Sequence, residues 1–457
     1  MRGPLTIRHT SAILKRSFRG AFPPAVRGEG VYVWDGQGKR YLDFSGSAAV
    51  NFIGHGVAEI PAAMMTQAQQ LEFVHSSQFT TPAAEKYAQE LIEFAGRHFR
   101  GGAVFFTCGG SEAVESALKL ARQYQVEIGQ TGRYQVLSRQ QSYHGATLGA
   151  LSVSGNKRRR QIYLPMVREF AHLRVPYCYR CTYDCADGCI NCGQQYAAEL
   201  EQAIVSSRGE AAAFIFEPVS GATLGAVLPP PGYLKSIEEI CRKHAVLLIA
   251  DEVMTGMGRT GRNFAIEHWG VKPDILVTAK GLSSGYAPLG AVIASDRVVD
   301  AIASGTGAFL HGFTYNAHPI SVAAGRAVLR YLESNRLVEA ANSERSGSAG
   351  SYLRSGLDRL RDLKAVGDVR GIGLLWGVEF VADRSTKRPF AAEKNFSGRV
   401  GISAAKRGLL VYPMQGSVEG AAGDHLLIAP PAIITKDQAD WAVAMLAEAI
   451  EEAGRGL

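Results

Sequence analysis

The chain has 457 residues, 46% of them hydrophobic and 20% charged, the balance of a globular protein with a sizeable core rather than a disordered or fibrous chain. Its formal charge of +7 is scattered apart from two small clusters, Lys15–Arg19 and Lys157–Arg160. The excess therefore reads as solvated surface favouring anionic small molecules, and no nucleic-acid partner is expected. No apolar run approaches the length that spans a bilayer, so no membrane partner is expected either.

The Arg-rich start, "MRGPLTIRHTSAILKRSFRG", contains no apolar segment of signal-peptide length, and a cytoplasmic location is expected. "GVYVWDGQGKRYLDFSGS" (30–47) alternates β-formers around an Asp-Gly pair and reads as a hairpin. From residue 83 to about 295, strands alternate with helices. "AVFFT" (103–107) is a strand and "SEAVESALKLARQYQVE" (111–127) a helix, with Ser111 as N-cap and Glu112 and Glu115 in its first turn. "YQVLS" (134–138), "AAAFIFEPV" (211–219), "AVLLIADEV" (245–253), "DILVTAK" (274–280) and "LGAVIAS" (289–295) are further strands. Most lack a period of two, as expected of a mostly parallel sheet covered by helices on both faces. "GYLKSIEEICRKHA" (232–245) is one such covering helix.

Past residue 318 a long helical stretch, about 319–361, leads to a smaller α+β part. There "VRGIGLLWGVEFV" (369–381) and "HLLIAPPAII" (425–434) read as strands, and "MQGSVEGAAGD" (414–424) as a Gly-rich loop. The expected organisation is a large α/β domain (76–320) and a smaller domain built from both chain ends (1–75 and 321–457).

Ligands of open α/β sheets bind at the carboxyl ends of strands, so the polar residues there are the candidates. "TCGGSEA" opens a helix with Gly110 and Ser111, a backbone anion cradle or a plain tight turn with its cap. "SYHGAT" supplies Tyr143 and His144, and Glu217 follows "FIF". Asp251 follows "LLIA", and Lys280 follows "ILVTA". Singly, each has an ordinary structural explanation. His144 is explained equally by orienting a neighbour and by packing. Together they supply a phosphate cradle, a stacking plate, a buried carboxylate and a lysine at one sheet mouth, the set that pyridoxal phosphate requires. An unpaired buried ammonium is costly, so Lys280 is expected to be paired, at the mouth, or covalently used.

The segments "FFTCGGSEAVESALKLAR", "SYHGAT", "FEPVSG", "IADEVMTGMGRTG", "AKGLSSGYAPLGA" and "HGFTYNAHPI" resemble the successive signatures of class III (ω-type) pyridoxal-phosphate-dependent aminotransferases. The resemblance runs over nearly the whole chain and implies the type I fold of such transferases. By that resemblance Lys280 matches the lysine that bonds the cofactor and shuttles the proton, and Asp251 the partner of the ring nitrogen. Val253 and Tyr143 match the residues on the two ring faces. Gly110 and Ser111 match the phosphate-binding pair. Thr314 matches a threonine that reaches the cofactor phosphate of a neighbouring subunit, which implies a homodimer with shared sites and leaves pairing into tetramers open.

Members acting on ornithine or γ-aminobutyrate carry an Arg two residues before "APP"; here that position is Leu427. Glu217, its usual partner, loses its ion pair, and Met254 stands where those members carry Gln. Both changes resemble the amine:pyruvate branch. The expected donor is a primary amine, ω-amino acid or polyamine, and the expected acceptor pyruvate, then 2-oxoglutarate, in a ping-pong sequence. An aminomutase or decarboxylase of the same fold is the alternative. Only Arg384 and Arg388 suggest themselves as carboxylate binders, because residues 412–434 contain no Arg.

Five of the seven cysteines fall in "CYRCTYDCADGCINC" (Cys178, Cys181, Cys185, Cys189, Cys192). No metal is expected in the chemistry itself. The two C-x2-C pairs have zinc-knuckle spacing, and a loop of reduced thiols is the other reading.

Overall fold

The computed structural model describes residues 12–14, 22–183, 189 and 191–455; the basic residues Lys15–Arg19 and Cys185 fall outside them. Near the N-terminus β1 (Ala25–Glu29), β2 (Tyr32–Asp35) and β3 (Arg40–Asp43) form an antiparallel meander. The Asp35 carboxylate closes the hairpin, accepting from the N–H groups of Gln37 (2.9 Å) and Lys39 (3.0 Å).

The central sheet has seven strands: β4 (Ala103–Thr107), β5 (Gln135–Arg139), β6 (His172–Leu173), β7 (Ala211–Phe216), β8 (Leu247–Asp251), β9 (Ile275–Thr278) and β10 (Gly290–Ala294), in the spatial order β4-β10-β9-β8-β7-β5-β6. Strands β5 to β9 are parallel neighbours. β10 runs antiparallel to both β9 and β4, so the sheet is mostly parallel but the "LGAVIAS" run is reversed. Both faces are buried, which is why these strands show no alternation. Phe214 and Phe216 enter one core, while Ile215, Ile249 and Val277 enter the other beneath the helix Gly110–Glu127.

That helix begins one residue before the expected start. Its N-cap is Gly109, in extended backbone (φ 179°), and Ser111 lies inside the first turn with Glu112, so Ser111 is not the cap.

The C-terminal part departs from the expected elements in three places. The helical stretch 319–361 is broken into Pro319–Ser334, Leu337–Ala341 and Ala349–Asp358, followed by a 3-10 turn over Arg359–Asp362. The first break falls at Arg336, held in the left-handed region (φ 53°). The segment 369–381 is not one strand but two, β11 (Val366–Ile372) and β12 (Leu375–Phe380), paired antiparallel. After β13 (Leu409–Leu410), the Gly-rich 414–424 stretch is mostly strand. It lies in β14 (Tyr412–Val418) and β15 (Ala422–Ile428), which pair as a hairpin. Its turn uses two positive φ angles, Glu419 (52°) and Gly420 (78°), the geometry that tight hairpins favour. β13 joins the N-terminal sheet beside β3, bringing the two chain ends together.

The C-terminal sheet backs directly onto the loop that follows β7. Arg370 Nε donates to the Gly225 carbonyl (2.8 Å), and the buried His425 Nε2 donates to the Ala222 carbonyl (2.8 Å). Gly377 of β12 lies against the Gly225 backbone so closely that a Cβ would not fit. No helix among the described residues is long and apolar enough to cross a membrane.

Arg259 is the deepest cross-link. Its side chain is fully buried and donates to the carbonyls of Ala429 (2.9 Å), Pro430 (2.6 Å) and Asn51 (3.0 Å), joining both chain ends to the central sheet. Arg259→Ala strands three buried acceptors, so a loss of about 3 kcal/mol or more is expected, read as an earlier midpoint in urea unfolding followed by circular dichroism.

Candidate active site

The parallel strands β7, β8 and β9 end at one edge of the sheet, and each delivers an ionisable residue there. Glu217 follows β7 directly, Asp251 is the last residue of β8, and Lys280 comes two residues after β9. They line a cavity of about 470 Å³ with Gly109, Gly110, Ser111, Tyr143, His144, Val253 and Met254. Eight of the nine candidate residues therefore share one address, and Thr314 is the exception, exposed on a loop and outside the cavity lining.

Asp251 is 4% exposed and accepts from His144 Nδ1 at 2.7 Å through Oδ2, and from the Val253 N–H at 3.1 Å through Oδ1. His144 is fixed in turn by its own N–H, which donates to Ser154 Oγ (2.8 Å). Its Nε2 is buried with no hydrogen-bond partner among the described residues. Sequence reasoning left His144 open; the contact with Asp251 makes it the group that aims the carboxylate.

Lys280 Nζ donates to the Ala48 carbonyl (3.0 Å). Burial brings its pKa down to about 8, against the opposing pull of Asp251 and with help from the positive charge of Arg259. The backbone at Lys280 is left-handed (φ 46°), an uncommon state for a residue with a side chain and one that concentrates at functional sites.

Glu217 is fully buried, accepts the N–H groups of Tyr143 (3.2 Å) and Gly221 (3.0 Å), and forms no ion pair among the described residues. Burial raises its pKa, only partly countered by His144. Leu427 is buried in an apolar cluster with Val219, near Met254, one layer behind the cavity. Arg384 and Arg388 are exposed and do not line the cavity, so neither guess holds.

The cation that sequence reasoning missed is Arg159. Its guanidinium lies 4.3 Å from the Tyr143 ring centroid, and its charge is felt at Lys280. Within "KRRR" it could not be told from solvated surface. Arg259, the other guanidinium felt at Lys280, is spent on main-chain carbonyls.

Opposite the carboxylates, extended Gly109 and the first turn of the helix Gly110–Glu127 leave backbone N–H groups facing the cavity, the arrangement that binds phosphate. A Cβ on Gly110 would meet Val253 Cγ1 at 3.1 Å and Ala279 Cβ at 3.5 Å, so glycine keeps that space open. Ser111 Oγ accepts the Ala146 N–H at 3.0 Å, tying the helix start to the "YHGAT" turn.

The family profile "Aminotransferase class-III" matches residues 16–450. The chain belongs to the class-III aminotransferases. It is 39% identical to the uncharacterized aminotransferase YodT of Bacillus subtilis over 98% of this chain and 99% of that protein. It is 35% identical to an adenosylmethionine-8-amino-7-oxononanoate aminotransferase of Geobacter sulfurreducens over 93% and 91%. Among solved structures it matches an (S)-enantioselective omega-transaminase of Thermomicrobium roseum (TM-score 0.88, 36% identity, 98% and 96% covered). It also matches the omega-transaminase of Pseudomonas jessenii in complex with PMP (TM-score 0.85, 32% identity, 94% and 92% covered).

The fold is accordingly type I, and the cofactor of the aminotransferase is pyridoxal 5'-phosphate. The residues present fit it: the anion cradle, the buried carboxylate, the plates Tyr143 and Val253, and the desolvated lysine surround one space.

Because Lys280 attacks only when neutral, the cofactor-free protein should be labelled at Lys280 by an aldehyde plus borohydride. The rate should climb about tenfold per pH unit below about 8 and level off above it, where the ammonium has lost its proton. Peptide mapping of the adduct against pH checks both site and midpoint.

Proposed function

We propose that this aminotransferase moves the amino group of a primary amine or ω-amino acid to pyruvate, with 2-oxoglutarate as second acceptor, in ping-pong order as a cytoplasmic homodimer. The observation that carries this reading is the unpaired Glu217 beside an apolar wall of Val219 and Met254, backed by Leu427. A wall without a fixed guanidinium favours an uncharged substituent over a second carboxylate. The omega-transaminase neighbours support the same branch, and the exposed Thr314 is available to a second subunit.

Bound in this cavity, pyridoxal phosphate supplies a protonated ring that withdraws electrons from the amine carbon. Around it, the N–H groups of Gly110 and Ser111 hold phosphate, and Thr314 reaches the phosphate of the partner site. Asp251 keeps a proton on the ring nitrogen, and His144 holds Asp251 in line. Tyr143 and Val253 confine the ring between them. Lys280 Nζ would take the proton from the amine carbon and deliver it to the cofactor's carbon rather than back to the amine, which leaves the donor carbon at the carbonyl level. Glu217 fixes the Tyr143 and Gly221 turns that shape the substrate end.

Purified holoenzyme given an amine and no acceptor should release one carbonyl product per site and then stop until pyruvate is added. Continued turnover without acceptor would replace this reading by an aminomutase or decarboxylase. Lys280→Ala should lower the rate by at least about 10²-fold without unfolding the protein, and normal turnover in that variant would remove Lys280 from the chemistry.

Arg159 is the acceptor's carboxylate partner in this reading, swinging from its place over Tyr143. Losing one charge-assisted hydrogen bond is worth about 1.5–3 kcal/mol. Arg159→Ala should therefore raise KM for pyruvate about ten- to a hundredfold and leave KM for an uncharged amine unchanged. Equal changes in both would mean that Arg159 only braces Tyr143.

A further inference from the structure

The loop between β6 and the helix Cys192–Ser206 carries two Cys-x-x-Cys pairs, Cys178/Cys181 and Cys189/Cys192, none of which borders the active-site cavity. The fold nevertheless gathers them. The Sγ atoms of Cys178, Cys189 and Cys192 all lie within 4.8 Å of one another, and Cys189 and Cys192 are buried. None of these thiols is in a disulfide. Cys181 stands beside the trio: its Sγ lies 3.6 Å from Tyr196 Oη, and Tyr196 is one turn along the helix that Cys192 opens.

Four thiolates at about 2.3 Å from a tetrahedral zinc ion stand roughly 3.8 Å apart. Three sulfurs are already gathered on that scale with the fourth adjacent, and the two C-x2-C pairs supply the ligand spacing of a structural zinc knuckle. Beside one another the three thiols make weak contacts, Cys189 Sγ to the Cys178 carbonyl (3.8 Å) and Cys192 Sγ to the Cys189 carbonyl (3.2 Å), which leave their sulfur lone pairs available to an ion.

We propose that Cys178, Cys181, Cys189 and Cys192 bind one structural Zn²⁺ ion. Four protons leave the thiols as the four Zn–S bonds form, with no change of oxidation state.

The position shows what the ion holds. The strap Tyr177–Arg180, which carries Cys178, grips the C-terminal sheet. Tyr177 O–H donates to Glu379 of β12, as does Arg180 Nε (2.6 Å), while Arg180 Nη1 donates to the Lys387 carbonyl (2.8 Å). Lys387 Nζ returns a bond to the Tyr179 carbonyl (2.8 Å). Cys189 and Cys192 pack into the main core. The ion therefore pins the strap that grips the C-terminal sheet to the helix flanking the central one.

The test is metal analysis of full-length holoenzyme purified under reducing conditions, together with its thermal midpoint. One zinc per chain is expected, lost in the double variant Cys189→Ser/Cys192→Ser and kept in Cys241→Ala. Because the double variant can fail to fold, the second measurement uses the wild-type chain. Stripping its metal with a chelator should lower the midpoint, and zinc but not magnesium should restore it. Holoenzyme with no zinc and no rise in midpoint on adding zinc overturns the proposal. So does full zinc content in the double variant, or iron in place of zinc.

Discussion

Lys280 follows a strand buried on both faces and reaches into the cavity with most of its side chain buried, where an ammonium is disfavoured. Asp251 supplies the opposing negative charge from the neighbouring strand, with β8 and β9 in parallel register so that Asp251 pairs with Val277 and both functional ends emerge together. Burial pulls the lysine's pKa down to about 8, and Asp251 opposes that pull. A carboxylate that opposes the lysine in this way needs a fixed aim, and the His144 contact provides it from a third element. Charge balance therefore depends on strand order, and strand order on two apolar cores that leave no other arrangement for these runs.

Much of that was legible in the chain, for identifiable reasons. Asp251, Glu217 and Lys280 each interrupt an apolar run at its carboxyl end, a signal that needs no three-dimensional information. The direction of β10 was not legible, because an apolar run buried on both faces looks the same in either orientation. The break at Arg336 was also hidden: it depends on one residue adopting a left-handed backbone, while the helical periodicity continues on either side. The 414–424 hairpin was masked by its glycines, which serve the turn and its flanking strands yet resemble an unstructured loop in composition. Arg159 escaped for a different reason. Its significance comes from lying over Tyr143, a contact sixteen residues along the chain that no local pattern marks.

The two chain ends do more than cover the sheet. Arg259 ties the segments around Asn51 and Ala429 to the loop after β8, and β13 brings the C-terminal part beside β3. The residues that shape the substrate end, Glu217 and Val219, belong to a loop held on its far side by Arg370 and His425. The cavity is thus bounded by chain that is itself clamped from behind, which suits a site whose chemistry depends on fixed directions.

The tight fit of Gly377 against the Gly225 backbone carries this further. There is no slack between β12 and the back of the pocket wall, so any side chain grown at that contact has to displace the wall rather than fill a gap. The dimensions of the substrate space are consequently written partly on a strand that never touches substrate. Screens for altered amine scope that sample only the lining residues would overlook a control point on a separate sheet.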